Sequence, residues 1–528
     1  MPSSHRKMPT RALATLLIAS LVMLLAAAQA AARPRPPRGG WSVAGSGAVK
    51  WARSWDQLRS RRQVRRSTVV QPDVQVVQTT SDLLERLAPL PGISFSKTRI
   101  AGIPVIHVDS NVRYQRFTGV GGAMTDTAAW LIQDQLSAPA RAFLMDALFG
   151  ADGIRLGFIR VPMGASDFTV GRAPYSYDDM PAGQSDPGLA SFSIAHDQAY
   201  IIPALREALA VNPAAEILAE PWSPPSWMKA NQAPNNAQHI GTLLPSAFAP
   251  LADYIVKFIQ AYAASGIPIS AITPQNEPHA ATAYPGMELT EPDEARLIAE
   301  DLAPALSAAG LHPKIYGGDL GWGLPTYPQA LISSEARGAL TGIAWHCYGA
   351  DPSVLSALHA AAPGLDQIVS ECAPGIIPYP VAEVLIGSLR EWASAVAFWN
   401  LALDQRGGPV QLPNVGCFGC TGLVTISERT HSVGFTLAYY QLGQVSQFVS
   451  SGAVRIATGR LVDWVAPEPG NDGVSQGLDD VAFLNPDGTK VLIVYNNAPL
   501  ARRFGVKWRS RAFGYTLAPA AMVTFVWR

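Results

Sequence analysis

The chain has 528 residues, with 40 lysines and arginines against 40 aspartates and glutamates. That length is too great for one small core and calls for two or three domains, or one large barrel with a satellite. The even charge excludes both a global basic field and the acidic excess of a disordered chain, so nucleic acid is not an expected partner.

The N-terminus carries Arg6, Lys7 and Arg11, then an apolar run over 12–28 and the small-x-small triplet Ala28-Gln29-Ala30. This reads as a signal peptide over 1–30, with a retained membrane anchor as the alternative. The protein is therefore expected to be secreted, extracellular or periplasmic, with no stable membrane span after cleavage. Residues 31–72 are rich in Arg, Pro and Gly and read as an exposed linker or arm.

From residue 73 the pattern becomes alternating, and 74–79 and 103–108 are good strand candidates. At the far end 481–483, 491–495 and 522–527 have the same character, with Asn485-Pro486-Asp487-Gly488 as a turn. Residues 73–112 and 451–528 are therefore expected to build one β-domain from both chain ends. Between them, over 113–450, short apolar runs occupy 117–121, 154–161, 217–221, 269–274, 314–317, 342–346, 367–370 and 395–399. Helix-length stretches at 139–149, 197–211, 250–264, 291–309 and 381–392 alternate with them, several with apolar residues at helical spacing. Eight such units are what a (β/α)8 barrel requires, although an open doubly wound sheet would give a similar string.

In a (β/α)8 barrel the reactive groups gather at the C-terminal ends of the strands. The residues there are Thr125 and Asp126, Arg160, Trp222, Asn276 and Glu277, Asp319, His346 with Tyr348, Glu371, and Trp399 with Asn400. A lone Glu is more often a surface or ion-paired carboxylate. A pair after strands four and seven is different, because it lies across the barrel mouth and can flank one bond. That arrangement suits glycoside hydrolysis, in which one carboxyl protonates the leaving oxygen and the other attacks the anomeric carbon. Mutual repulsion and partial burial are expected to keep Glu277 protonated until Glu371 has lost its charge. Asn276 is positioned to bond a sugar 2-hydroxyl, and His346 beside Tyr348 to orient the nucleophile. Arg160 has two readings, a structural ion pair or a group that holds Glu371 ionised. Trp222 and Trp399 are candidates for a sugar platform, with plain packing as the alternative.

The four cysteines are Cys347, Cys372, Cys417 and Cys420. Cys417-x-x-Cys420 has the form of a zinc half-site, but no second pair has similar spacing, so disulfides or buried thiols fit better.

Six strings in order, Phe117 to Asp126, Ile159 to Gly164 with Ser166-Asp167-Phe168, Glu220 to Lys229, Thr273 to Pro278, Ser370-Glu371-Cys372 and Trp399 to Leu403, resemble glycoside hydrolase family 30. The likeness is to its glucosylceramidase-like branch, in a bacterial-type secreted form, and runs from about residue 74 to 528. It implies a (β/α)8 TIM barrel with an associated β-sandwich, Glu277 as acid/base and Glu371 as nucleophile. It further implies that Asp167, Trp222, Asn276, His346, Tyr348 and Trp399 bind glucose, that Arg160 and Asp126 form a supporting polar shell, and that no cofactor or metal is needed. The implied partner is a carbohydrate or glycolipid substrate. The expected activity is a retaining β-glycoside hydrolase acting on glucosylceramide or a related β-glucoside. Alternatives are an endo-β-1,6-glucanase, a xylan- or fucose-directed enzyme, or, remotely, a non-catalytic carbohydrate-binding protein. Two departures stand out: Glu220 replaces a usually small residue before Pro-Trp, where it adds either a carboxylate near the substrate or a surface charge. The loop around Cys417-Phe418-Gly419-Cys420 resembles bacterial members, which weakens transfer of the ceramide substrate.

Overall fold

The computed structural model describes residues 72–97, 100–171, 173–235, 241–280, 282–412, 415–459 and 477–528. The expected signal peptide and the arm up to residue 71 lie outside these residues. Among the described residues no helix is long and apolar enough to cross a membrane.

Eight strands form the barrel: Gly119–Ala123, Phe158–Met163, Glu216–Pro221, Ala271–Ile272, Lys314–Gly321, Gly342–His346, Asp366–Glu371 and Ala395–Phe398. Each pairs in parallel with the next, and the eighth closes on the first through Ala395 and Gly119, which excludes the open sheet. Three strands are shorter than their apolar runs, the eighth by a single residue. Residues 154–157 turn before the second strand, with Arg155 at φ +55°. The fourth keeps only Ala271 and Ile272, because Pro274 has no N–H to donate to a ladder. The glycines of the first strand answer a close approach: a Cβ on Gly121 would stand 1.6 Å from the Phe158 carbonyl oxygen.

Side chains alternate across a strand, so every second residue enters the barrel. Phe158, Leu218, Ala271, Tyr316, Ala344, Ile368, Ala395 and Ala397 fill its interior as one apolar cluster. Their neighbours Ile159, Ile217, Ala219, Ile272 and Ile343 face the helices and join the larger core. The helices Ala138–Phe149, Ile201–Val211, Phe248–Ala264 and Val381–Arg390 cover that outer face. Phe248–Ala264 shows why: Leu251, Ile255, Phe258, Ile259 and Tyr262 are buried while Asp253 and Gln260 are exposed, an amphipathic stripe of helical period. The stretch expected as one helix over 291–309 is instead Glu291–Arg296, a wider turn Leu297–Leu302, and Ala303–Ala308.

Both chain ends meet in a nine-stranded sheet. Val74–Thr79 pairs antiparallel with Met522–Trp527 along its whole length. Val105–Arg116 lies between Val454–Thr458 and Arg502–Trp508. The last of these continues to Arg511–Leu517, and a bridge from Ala512 to Ser96 brings the two sheet edges together over a core containing Val76, Ile106, Phe504 and Phe525. This sandwich is tied to the barrel by polar contacts: Gln444 of the helix Leu437–Ser446 donates to Thr79 at 2.8 Å and accepts from Thr524 at 2.6 Å.

Candidate active site

The alternation that fills the barrel with apolar side chains also builds the floor of its mouth. Two residues beyond Phe158, Leu218, Ala271, Ala344 and Ile368 stand Arg160, Glu220, Thr273, His346 and Ser370, all fully buried. Asp319 joins them from a bulge in the fifth strand, at φ +59°. Asp319 is the hub of this layer. It accepts from Arg160 at 3.1 Å, Thr273 at 2.9 Å and Ser370 at 2.5 Å, and contacts His346 Nε2 at 3.0 Å. Burial opposes its charge, but Arg160 and His346 outweigh burial and hold it well below the usual carboxylate range.

Glu277 and Glu371 sit on this layer. One oxygen of each, with a His346 nitrogen, lies within 4.8 Å of the others. Glu371 Oε2 accepts from Arg160 Nη1 at 2.5 Å and Oε1 accepts from the Tyr348 hydroxyl at 2.9 Å. Arg160 is thus ion-paired with Glu371 and Asp319, and it also bonds the Asn276 Oδ1 at 2.6 Å. That bond orients the Asn276 amide with Nδ2 as its donor end. Burial works against the Arg160 charge, while Glu220, Asp319 and Glu371 raise its pKa further. Covalent closure supports Glu371 as well. Cys347 and Cys372, the residues after His346 and Glu371, form a buried disulfide that staples strands six and seven where both groups emerge. A second disulfide joins Cys417 and Cys420. The four cysteines are thus spent on two bridges and the zinc half-site reading falls.

The expectation that Glu277 is protonated at rest is not what this site gives. Burial does raise its pKa, but His346 Nδ1 at 3.3 Å, the Tyr284 hydroxyl at 3.1 Å and the Arg160 charge outweigh burial and lower it. The proton sits next door. Burial disfavours the charged imidazole, yet Glu371, Asp319 and Glu277 raise His346 to about 10, so at neutral pH the ring is an imidazolium in contact with both glutamates.

An apolar wall stands beside this charged floor. Trp222 and Trp399 stack on each other, ring centroids 5.1 Å apart, with Ala123, Phe168, Ala373, Leu403 and Cys420 around them. Each is 2 % exposed and gives one face to the other, so together they form one wall and not two free platforms. Asp167 lies by this wall, 4 % exposed. Burial and the Glu371 charge push it up to about 8, against the hydrogen bond of the Cys417 backbone.

Of the residues singled out by sequence, Asp126 does not belong to this group. It opens the helix Asp126–Asp134 with Thr125 as its cap, which turns its carboxylate away from the mouth. Oδ1 accepts from Val170 N at 2.7 Å, and Oδ2 contacts His196 at 2.6 Å and Tyr200 at 2.9 Å. Glu220 is neither a surface charge nor a substrate contact. It is fully buried behind Arg160, with Oε1 3.4 Å from both Arg160 Nε and Trp222 Nε1. Two residues escaped sequence reasoning. Ser370 shared the interior parity of Ile368, which could have found it; Tyr284 lies in a loop seven residues after Glu277, where no periodicity points to it.

Comparison with known proteins agrees with this architecture. Residues 117–449 match the Glycosyl hydrolase family 30 TIM-barrel domain and 452–525 the Glycosyl hydrolase family 30 beta sandwich domain. An endo-1,6-beta-D-glucanase of Neurospora crassa is 35 % identical over 393 residues, covering 73 % of this chain and 79 % of that protein. The lysosomal acid glucosylceramidase of Mus musculus is 29 % identical over 446 residues, covering 79 % and 82 %. Among solved structures, the endo-beta1,6-glucanase BT3312 superimposes with a TM-score of 0.75 at 28 % identity, covering 86 % of this chain and 99 % of that one. The chain belongs to glycosyl hydrolase family 30 and is a glycosidase.

Proposed function

We propose that this enzyme is a retaining β-glucosidase that cleaves β-1,6-linked glucan, with Glu371 as nucleophile and Glu277 as acid and then base. The observation that carries the reading is the pair of carboxylate oxygens within 4.8 Å of one another. Double displacement uses carboxyl groups ~5 Å apart, whereas inversion needs roughly 6.5 Å or more to admit a water. In the first step a Glu371 oxygen bonds to the anomeric carbon, the glycosidic C–O bond breaks, and the leaving oxygen takes a proton from Glu277. In the second, water attacks the same carbon, gives its proton to Glu277, and the Glu371 ester bond breaks. The proton for the first step is stored one hydrogen bond away on His346. A sugar that displaces water from Glu277 without bringing charge disfavours the carboxylate and draws that proton across. Asp167, Trp222, Asn276, His346, Tyr348 and Trp399 receive the glucose ring, and Arg160 holds the nucleophile in place through its hydrogen bond to Glu371 Oε2.

The preference for a β-1,6 linkage is supported by three endo-1,6-glucanases at 34 to 35 % identity against 29 % for the mouse glucosylceramidase, so glucosylceramide becomes the second reading. Extracellular action fits the apolar run at 12–28 and two disulfides, which persist in oxidising compartments. The test is a panel of nitrophenyl β-glucoside, nitrophenyl β-xyloside, β-1,6-glucan and glucosylceramide, with the product anomer followed by NMR. β-1,6-glucan should be the best substrate, with a β-configured first product. A 2-fluoro glucoside should label Glu371 and Glu371→Gln should abolish turnover; an α first product or a label elsewhere would sink the assignment.

A further inference from the structure

The loop closed by Cys417–Cys420 has no assigned task, yet it is built against Asp167. Cys417 N donates to Asp167 Oδ2 at 3.2 Å, and Gln411 N donates to the Asp167 carbonyl oxygen at 2.9 Å. Gly416 passes so near that a Cβ there would lie 2.7 Å from the Asp167 Cβ and 2.9 Å from Oδ2, and its φ of +92° already disfavours any other residue. The far end of the loop is equally fixed. Cys420 is buried in the Trp222–Trp399 wall, Thr421 N donates to the Pro374 carbonyl at 2.8 Å, and Gly375 leaves room for the Gly419 carbonyl. The disulfide thus spans from the segment after Glu371 to the carboxyl beside the wall.

Asp167 itself carries the second observation. With Oδ2 held by the loop, its Oδ1 is buried and has no hydrogen-bond partner. A buried polar atom left unsatisfied is costly, and a sugar hydroxyl is a group that would relieve it. Asp167 bonds neither Glu277 nor Glu371, so the hydroxyl it meets belongs to the glycone, away from the anomeric carbon.

We propose that the Cys417–Cys420 loop is the positioning element for glycone recognition: it clamps Asp167 Oδ2 so that Oδ1 meets one hydroxyl of the glucose ring. The proposal rests on the β-glucosidase reading and names the device that selects the sugar within it. A site built to bond one hydroxyl discriminates strongly against its absence, and releasing the clamp blurs that discrimination.

The test uses the full-length enzyme and 3-, 4- and 6-monodeoxy nitrophenyl β-glucosides beside the parent compound. For the wild type, removing the hydroxyl that meets Asp167 should lower kcat/KM by roughly 100-fold or more. In Cys417→Ser with Cys420→Ser, and separately in Gly416→Ala with the disulfide intact, that penalty should shrink by about tenfold. KM for the parent should rise by about the same factor while kcat changes less than about threefold. Asp167→Ala should erase the same penalty and no other. Using two loop variants guards against one that fails to fold. If both turn over the parent with the deoxy penalties unchanged, the loop is only structural and the proposal is overturned. A wild type inactive on every β-glucoside overturns the substrate reading and this inference with it.

Discussion

Glu220 offers a sharp test of the charge arrangement under the active site. Its carboxyl is fully buried, and burial, opposed by Arg160, pushes its pKa up to about 8 from an ordinary 4.5. The folded chain therefore holds this proton where an unfolded chain has released it. Stability is fully present below the unfolded value and is lost as pH rises towards 8, at ~1.4 kcal/mol per pH unit. By pH 7 the loss from this group is roughly 3 kcal/mol. Glu220→Gln keeps the shape of the protonated acid but has no proton to lose, so the loss disappears. Thermal melting of both proteins from pH 4.5 to 9 should give nearly equal midpoints at the acid end. The variant should then be progressively more stable, by about 5 °C or more at pH 8. The competing view is an ionised Glu220 paired with Arg160 at all these pH values. Removing one partner of such a buried pair costs ~3–5 kcal/mol, so Glu220→Gln would be destabilised even at pH 5. Parallel melting curves, or a large deficit at acid pH, would refute the reasoning.

Two further outcomes follow from the same geometry. Tyr348→Phe removes the 2.9 Å hydrogen bond to Glu371 Oε1; a bond to a charged acceptor contributes ~1.5–3 kcal/mol, so kcat should fall ~10- to 100-fold with KM little changed, measured on nitrophenyl β-glucoside. Lys229 is buried with Ser223 Oγ and the Gly286 carbonyl as its acceptors among the described residues, and burial lowers it to about 7. Its sign is opposite to that of Glu220, because the unfolded chain holds this proton up to about 10.5 and the folded one does not. The stability deficit of Lys229→Met should therefore widen between pH 7 and 9, by ~1 kcal/mol per pH unit in denaturant titrations.

The eight strands were legible because each is a short apolar run between amphipathic stretches, and local composition decides both. The proposed pair, Glu277 and Glu371, stood out because strand ends carry the chemistry of such a barrel, and the motifs around them suggested their separate roles. What escaped depends on direction. Asp126 comes three residues after the first strand, but the chain there turns at once into a helix capped by Thr125, and no strand parity survives that turn. Glu220 shows the reverse. Its parity with Leu218 puts it inside the barrel, and alternation alone could have excluded the surface reading. The protonation of Glu277 could not be read at all, because it depends on His346 and Arg160, which are distant in sequence and meet only when the barrel closes.

That closure gives the floor a charge balance suited to two opposite tasks. At neutral pH two cations, Arg160 and His346, face the carboxylates of Asp319, Glu371 and Glu277, while Glu220 and Asp167 keep their protons. On the proposed mechanism the covalent intermediate turns Glu371 into an uncharged ester. By then the proton stored on His346 has passed through Glu277 to the leaving oxygen, and with the Glu371 charge gone one of the groups that raise His346 is lost, so the ring stays neutral. His346 in turn lowers Glu277. As that influence weakens, Glu277 becomes more basic just when it must take a proton from water. The same carboxyl thus passes from donor to acceptor as His346 goes from charged to neutral beside it.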